Sequence, residues 1–200
     1  MHTLSHNIQI FDLTKRNIKP DAKDKYFLDT NVWYWFTYCG SKVFSTSKKP
    51  SPYQLNYYPA FVERIQDEGA KIYHSPLTYT ELANIIENAE YEEYISKRSS
   101  RISKKEYRKN NDERKKVVKE IDTAWRTINS MSECLELNLD KQTIKATHNF
   151  LSSSQLDAYD AIFIHFMRSH NLKMLVSDDG DLASAEIEQL FTANRNVLNN

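Results

Sequence analysis

Glycine and cysteine are scarce in this sequence, and it carries no net charge. Three glycines among 200 residues, with 40% apolar and 12% aromatic side chains, argue against disorder and leave ample material for a core. Two cysteines, Cys39 and Cys134, exclude a disulfide-rich secreted scaffold and fit a reducing cytosol. No run approaches the ~18 continuous apolar residues of a membrane span. The most hydrophobic stretch, Val32 to Cys39, is short and interrupted by Thr37. Met1 to His6 lacks the cationic and apolar regions of a signal peptide, so the expectation is a soluble, cytoplasmic chain. The histidines and cysteines show no zinc spacing, and no internal repeat is visible.

The balance of 27 basic against 27 acidic residues points to no class of partner, but it hides a strong polarity. Between Lys97 and Lys119 lie eleven basic and three acidic residues, a local charge of +8, so the remainder carries −8. Such an excess exceeds that of ordinary mixed-charge helices and suits contact with a phosphate backbone. Tyr94 and Tyr107 flank or interrupt the segment and are candidates for stacking on bases.

Strand and helix signals alternate along the chain. Residues 1–24 read as a polar lead-in, with Ile8 to Phe11 a candidate edge strand. Lys25 to Leu28 and Ala70 to His74 read as short strands, Glu133 to Asn138 alternates like a third, and Leu172 to Val176 reads as the last. Between them, helical patterns cover Tyr57 to Gln66, the segment opened by Ser75-Pro76, the basic segment running into Trp125 and Ile128, and Asp140 to Phe150. Ser154-x-x-Asp157 has the form of a capping box opening a helix that ends near His170. The aromatic run Trp33 to Phe36 is assigned to the core. The absence of hairpin signals predicts an α/β protein with a parallel sheet covered on both faces.

Four acids stand out. Asp29 follows one predicted strand and Asp179 another, and in open parallel sheets ligands bind beyond the carboxyl ends of the strands. Asp160 shares a helix face with Leu156, Phe163, Ile164 and Met167, where a carboxylate is costly without a partner. Glu81 lies in the row between Leu77 and Ile85. Carboxylates converging on one cleft repel one another unless protonated or bound to a cation, and all-oxygen ligation selects Mg²⁺ or Mn²⁺.

The strand leading to Asp29-Thr30-Asn31, the Ser75-Pro76-Leu77-x-x-x-Glu81 helix, the Asp160-Ala161-Ile162 helix and the closing Leu175-Val176-Ser177-Asp178-Asp179-Gly180-Asp181-Leu182 together resemble PIN-domain nucleases, in order and spacing, from about Tyr26 to Leu182. The resemblance implies a PIN-like three-layer α/β/α domain over 25–200, with a basic helical insertion at about 97–130 and an N-terminal extension at 1–24. It implies that Asp29, Glu81, Asp160 and Asp179 bind one or two divalent ions, with Asn31 and Ser177 orienting the carboxylates. The last motif usually reads Thr-x-Asp-x-x-Phe; here Ser177 and Leu182 replace the outer residues, and the Asp178-Asp179 doublet leaves a one-residue ambiguity. Asp181 is a further candidate.

The expected activity is metal-dependent hydrolysis of RNA, leaving 5′-phosphate and 3′-hydroxyl ends as the resemblance implies. A toxin paired with an antitoxin protein, an RNA-processing enzyme and a defence nuclease share this site, so the role stays open, and the resemblance makes a homodimer plausible. Two other readings remain: an inactive PIN-like RNA-binding or scaffold protein, and a haloacid-dehalogenase-like phosphatase. The phosphatase would need an aspartate where Asn31 stands and a lysine shortly before the last acids, for which Lys173 is available.

Overall fold

The computed structural model describes residues 8–15, 17–42, 49–185 and 187–199; readings that fall on Met1 to Asn7 or on Lys48 lie outside them. Six strands form one all-parallel sheet: β1 (Gln9–Asp12), β2 (Lys25–Leu28), β3 (Lys71–His74), β4 (Glu133–Cys134), β5 (Met174–Val176) and β6 (Gln189–Thr192), in the order β1-β6-β5-β2-β3-β4. Among the described residues there are eight α-helices: α1 (Thr30–Thr37), α2 (Pro52–Asp67), α3 (Pro76–Ser96), α4 (Lys104–Lys109), α5 (Asn111–Met131), α6 (Lys141–Ser153), α7 (Ala158–Ser169) and α8 (Arg195–Leu198). None is long and apolar enough to cross a membrane.

Alternation along the strands divides the core in two. Tyr26, Leu28, Ile72, Val176 and Phe191 join the cluster formed with α1, α2, α3 and α5. Phe27, Tyr73, Leu175 and Leu190 join the opposite cluster, in which α7 supplies Phe163, Ile164, Phe166 and Met167. The sheet is thus the middle of three α/β/α layers. The aromatic run is core: Trp33 is fully buried, and Trp35 packs on Tyr58 with ring centroids 5.0 Å apart.

Two helix ends aim the chain into the strands flanking β2. Gly69, at φ 72°, closes α2, with Ala70 N–H bonding to Ile65 O at 3.0 Å and Gly69 N–H to Gln66 O at 3.0 Å. Asn171, at φ 53°, closes α7 in the same way, with Leu172 N–H on Met167 O at 2.8 Å and Asn171 N–H on Arg168 O at 3.1 Å. Both are Schellman caps, which need a left-handed residue that glycine and asparagine supply at little cost.

Several expectations are corrected. Val176 does not end the last strand: β6 follows and pairs with both β5 and β1, while the candidate edge strand of the lead-in is found as β1 at the outer edge of the sheet. The third predicted strand shrinks to Glu133–Cys134, and α2 begins at Pro52, where proline at the first helical turn loses no hydrogen bond. Ser154 closes α6 rather than opening α7. The cap of α7 is Asp157, whose Oδ1 accepts from Tyr159 N–H at 2.8 Å and Asp160 N–H at 3.0 Å.

The basic segment begins as non-helical chain, then forms α4 and the first half of α5, and it is largely tied to α3. Glu87 receives Arg108 through Nε at 2.9 Å and Nη2 at 2.5 Å, Arg114 at 3.0 Å and Lys104 at 3.3 Å. Glu90 receives Lys116 at 2.6 Å, Lys42 at 3.0 Å and the Tyr38 hydroxyl at 2.7 Å. With the Lys97–Glu93 pair at 2.7 Å, five of the eleven cations are engaged by α3. Tyr107 is buried, and Tyr94 carries Arg98 on its ring face, so neither ring is displayed for a base as expected.

The Arg108 hydrogen bonds, reinforced by Lys104, hold the Glu87 carboxyl down at about 2. A depressed folded-state value stabilises the fold above the carboxyl's ordinary value of 4.5, and that stability drains away as pH falls towards 2. Solvent around the half-exposed arginines reduces the effect to about 1 to 2 kcal/mol. Glu87→Gln should lose that amount in urea denaturation at pH 7 and show a flatter stability profile between pH 4.5 and pH 2 than wild type.

Candidate metal centre

The strand order reverses between β2 and β5: chain order runs outward to β3 and β4 on one side and from β5 to β6 on the other, where β1 adds the far edge. Such a switch point opens a crevice beyond the carboxyl ends of the strands. Leu28 and Val176 are register partners there, so Asp29 and Ser177 leave adjacent strands side by side.

Asp29 is 8% exposed and caps α1. Its Oδ2 accepts the Ser177 hydroxyl at 2.7 Å and its Oδ1 accepts Asn31 N–H at 3.4 Å. The Ser177 oxygen in turn accepts Asp179 N–H at 3.0 Å, so a single hydroxyl links the acids of two strands. Ser177 takes the orienting role that the resemblance implies. Asn31 takes it through its backbone, its side chain being exposed. On the other side of Asp29, the Thr30 hydroxyl donates to Glu81 Oε2 at 2.5 Å and fixes α3 against α1.

Burial pushes the Asp29 carboxyl up to about 6, with Glu81 and Asp179 adding repulsion and the Ser177 hydrogen bond opposing the rise. Burial likewise raises Glu81, against its bond from Thr30 and with repulsion from Asp157. Asp160 is pushed furthest, to about 8, first by burial and then by the charges of Asp157, Asp179, Asp29 and Glu81. Asp160 thus feels the charges of the other three predicted acids, and Asp29 those of Glu81 and Asp179, although they come from a strand end, two helices and a loop. No basic side chain among the described residues pairs with Asp160. As they stand, no three of the described His, Cys, Asp or Glu side chains are grouped closely enough to hold an ion.

The doublet is resolved by hydrogen bonding. Asp178 turns to α2, where Oδ2 accepts Tyr53 at 2.8 Å and Gln54 at 2.7 Å and Oδ1 accepts Tyr58 at 2.6 Å. Asp179 remains for the cleft. Asp181 is exposed and contributes its N–H to Asp179 Oδ1 at 2.8 Å. Four participants, Thr30, Tyr53, Tyr58 and Asp157, escaped sequence reasoning. Thr30 and the α2 tyrosines carry no local signal, because their partners lie 51 residues and more than 100 residues away. Asp157 could have been found, since an N-cap acid and an acid three residues on share one helix end.

The donor set is all carboxylate oxygen, and among the described residues no basic side chain pairs with Asp160. That chemistry suits a hard divalent cation such as Mg²⁺ or Mn²⁺, and Asp29, Glu81, Asp160 and Asp179 are the residues that would hold one. Replacing one charge relieves repulsion while weakening cation binding. In EDTA at pH 8, Asp160→Asn should therefore melt several degrees above wild type, and added Mn²⁺ should raise the melting temperature of wild type more than that of the variant.

No protein-family model matches the sequence, and no curated protein matches it. Among solved structures, the crystal structure of PAE2754 from Pyrobaculum aerophilum is similar over 89% of each chain, at 16% identity and a TM-score of 0.44, too slight a likeness to fix a family or an activity.

Proposed function

We propose that the protein is a PIN-like, divalent-metal-dependent endoribonuclease. The observation that carries this reading is that Asp29 and Asp179, linked through the Ser177 hydroxyl, stand at the ends of adjacent strands at the switch point of a parallel sheet, with Glu81 held beside them by Thr30 and the charges of all three raising Asp160. A divalent ion bound there supplies an acidified water and positive charge against a scissile phosphate.

The chain's own residues have distinct tasks in this reading. Asp29 is held rigid by Ser177 and the Asn31 N–H, so it presents a fixed oxygen to the ion. Asp179 is fixed through its N–H on Ser177 and its Oδ1 under the Asp181 N–H, while Thr30 fixes Glu81. Asp160, whose carboxyl is raised by burial and by the surrounding acids, would gain most from the positive charge of the ion. The burial of Asp29 limits water at its side of the cleft.

The phosphatase alternative loses support from Lys173. This residue sits at the start of β5, the opposite end of the strand from Ser177 and the acids, and pairs with Glu188 at 2.9 Å. A lysine there does not serve a phosphoryl group at Asp29.

Single-stranded RNA incubated with the protein should be cleaved in Mg²⁺ or Mn²⁺ and remain intact in EDTA. Asp29→Asn should reduce cleavage to background, and Ser177→Ala, which leaves the acids but frees Asp29, should slow it by about 10- to 100-fold. Intact RNA with every metal, or equal rates in Asp29→Asn, overturns the proposal.

A further inference from the structure

A groove of about 900 Å³ runs between α3 and α5. At one end stand Tyr79, 44% exposed, and Trp125, with ring centroids 5.1 Å apart at an interplanar angle of 72°. Further along, Ala83, the buried Ile121 and the exposed Val118 line it, and α5 adds Lys115 and Lys119.

Two acids line the groove, and both are engaged. Glu87 lies under Arg108, Arg114 and Lys104, and Asp122 is paired with Arg126 at 2.8 Å. Lys115 and Lys119 are exposed and have no ion pair among the described residues. One helical turn apart on α5, they repel each other, and an anion bridging them relieves that repulsion. Their spacing makes a track of charge rather than a point.

We infer that this groove is a subsite for single-stranded RNA beyond the cleavage centre, with a base stacked at the Tyr79–Trp125 edge and phosphates on Lys115 and Lys119. The inference rests on the nuclease reading above. α3 joins the two regions: Glu81 and Tyr79 are about 3 Å apart along the helix axis and about 200° apart around it, so a strand that meets both crosses the exposed face that carries Thr80 and Asn84. From Tyr79 to Glu87 the groove follows about 12 Å of helix, room for a few nucleotides. An acidic amphipathic peptide would want an apolar stripe along this whole length. Here Arg108, Arg114, Lys115 and Lys119 share the lining with the apolar side chains.

Binding of a 5′-fluorescein oligouridylate 12-mer, followed by anisotropy in EDTA, reads the subsite without catalysis. Trp33 and Trp35 are buried, so quenching of tryptophan emission on binding reports Trp125. The double variant Lys115→Gln/Lys119→Gln should bind about tenfold more weakly at low salt, with a salt dependence shallower by about 1.4, two phosphates at ~0.7 each. Tyr79→Ala should weaken binding about tenfold with the salt slope unchanged, and Tyr79→Phe should restore it. All three positions are exposed, so the variants keep the fold.

Wild-type affinity in the variants, with Mn²⁺-dependent cleavage intact, overturns the groove and leaves the nuclease reading standing. Binding lost in the variants, but no cleavage by wild type in any metal, overturns the nuclease reading and leaves the groove as an RNA site. Tighter binding of an alternating leucine–glutamate peptide than of the 12-mer, lost in the lysine double variant, overturns the RNA assignment in favour of a protein partner.

Discussion

The hydroxyl of Ser177 carries more of this architecture than any other single group. It donates to Asp29 at the end of the central strand and accepts from the backbone of Asp179 at the end of the neighbouring one. A buried carboxylate surrounded by other carboxylates is stable only if something holds it in place. The adjacent pairing of β2 and β5 brings that hydroxyl within reach, and the Schellman cap at Asn171 directs the chain into β5. Asp178 anchors the same loop from behind through Tyr53, Gln54 and Tyr58. The loop is thereby pinned on both sides, and Asp179 is left facing the cleft.

Helix α3 joins the other half of the molecule to this centre. Its first turns offer Glu81 to the cleft under the Thr30 hydroxyl. Its later turns offer Glu87 and Glu90 to the cations of α4 and α5, and Glu90 also reaches Lys42 and Tyr38 beside α1. The chain's opposed charge blocks are therefore partly consumed in folding. Four cations of the +8 segment neutralise the buried Glu87 and Glu90, and the exposed Lys115 and Lys119 along the groove are among those left for an outside anion.

Parts of this organisation were legible from residues alone and parts were not. Asp160 stood out because a carboxylate on an apolar helix face breaks the periodic pattern, and it is the acid whose protonation is most perturbed. Asp29 and Asp179 were legible because a short apolar run ending in an acid marks the end of a buried strand. Strand β6 was missed because Gln189-Leu190-Phe191-Thr192 offers two apolar residues and no alternation beyond them. The choice between Asp178 and Asp179 depended on tyrosines more than 100 residues earlier in the chain. The neutralisation of the basic segment depended on glutamates up to 27 residues away, a pairing set by how two helices pack and not by any local pattern.

The central claim is that the four acids form a cation site. Calorimetric titration of EDTA-stripped protein with Mn²⁺ at pH 7.5 tests it most directly, free of any assumption about substrate. The account predicts saturable binding of one or two ions by wild type and its loss in Asp29→Asn. Absence of binding by wild type, or equal binding by the two proteins, would contradict it.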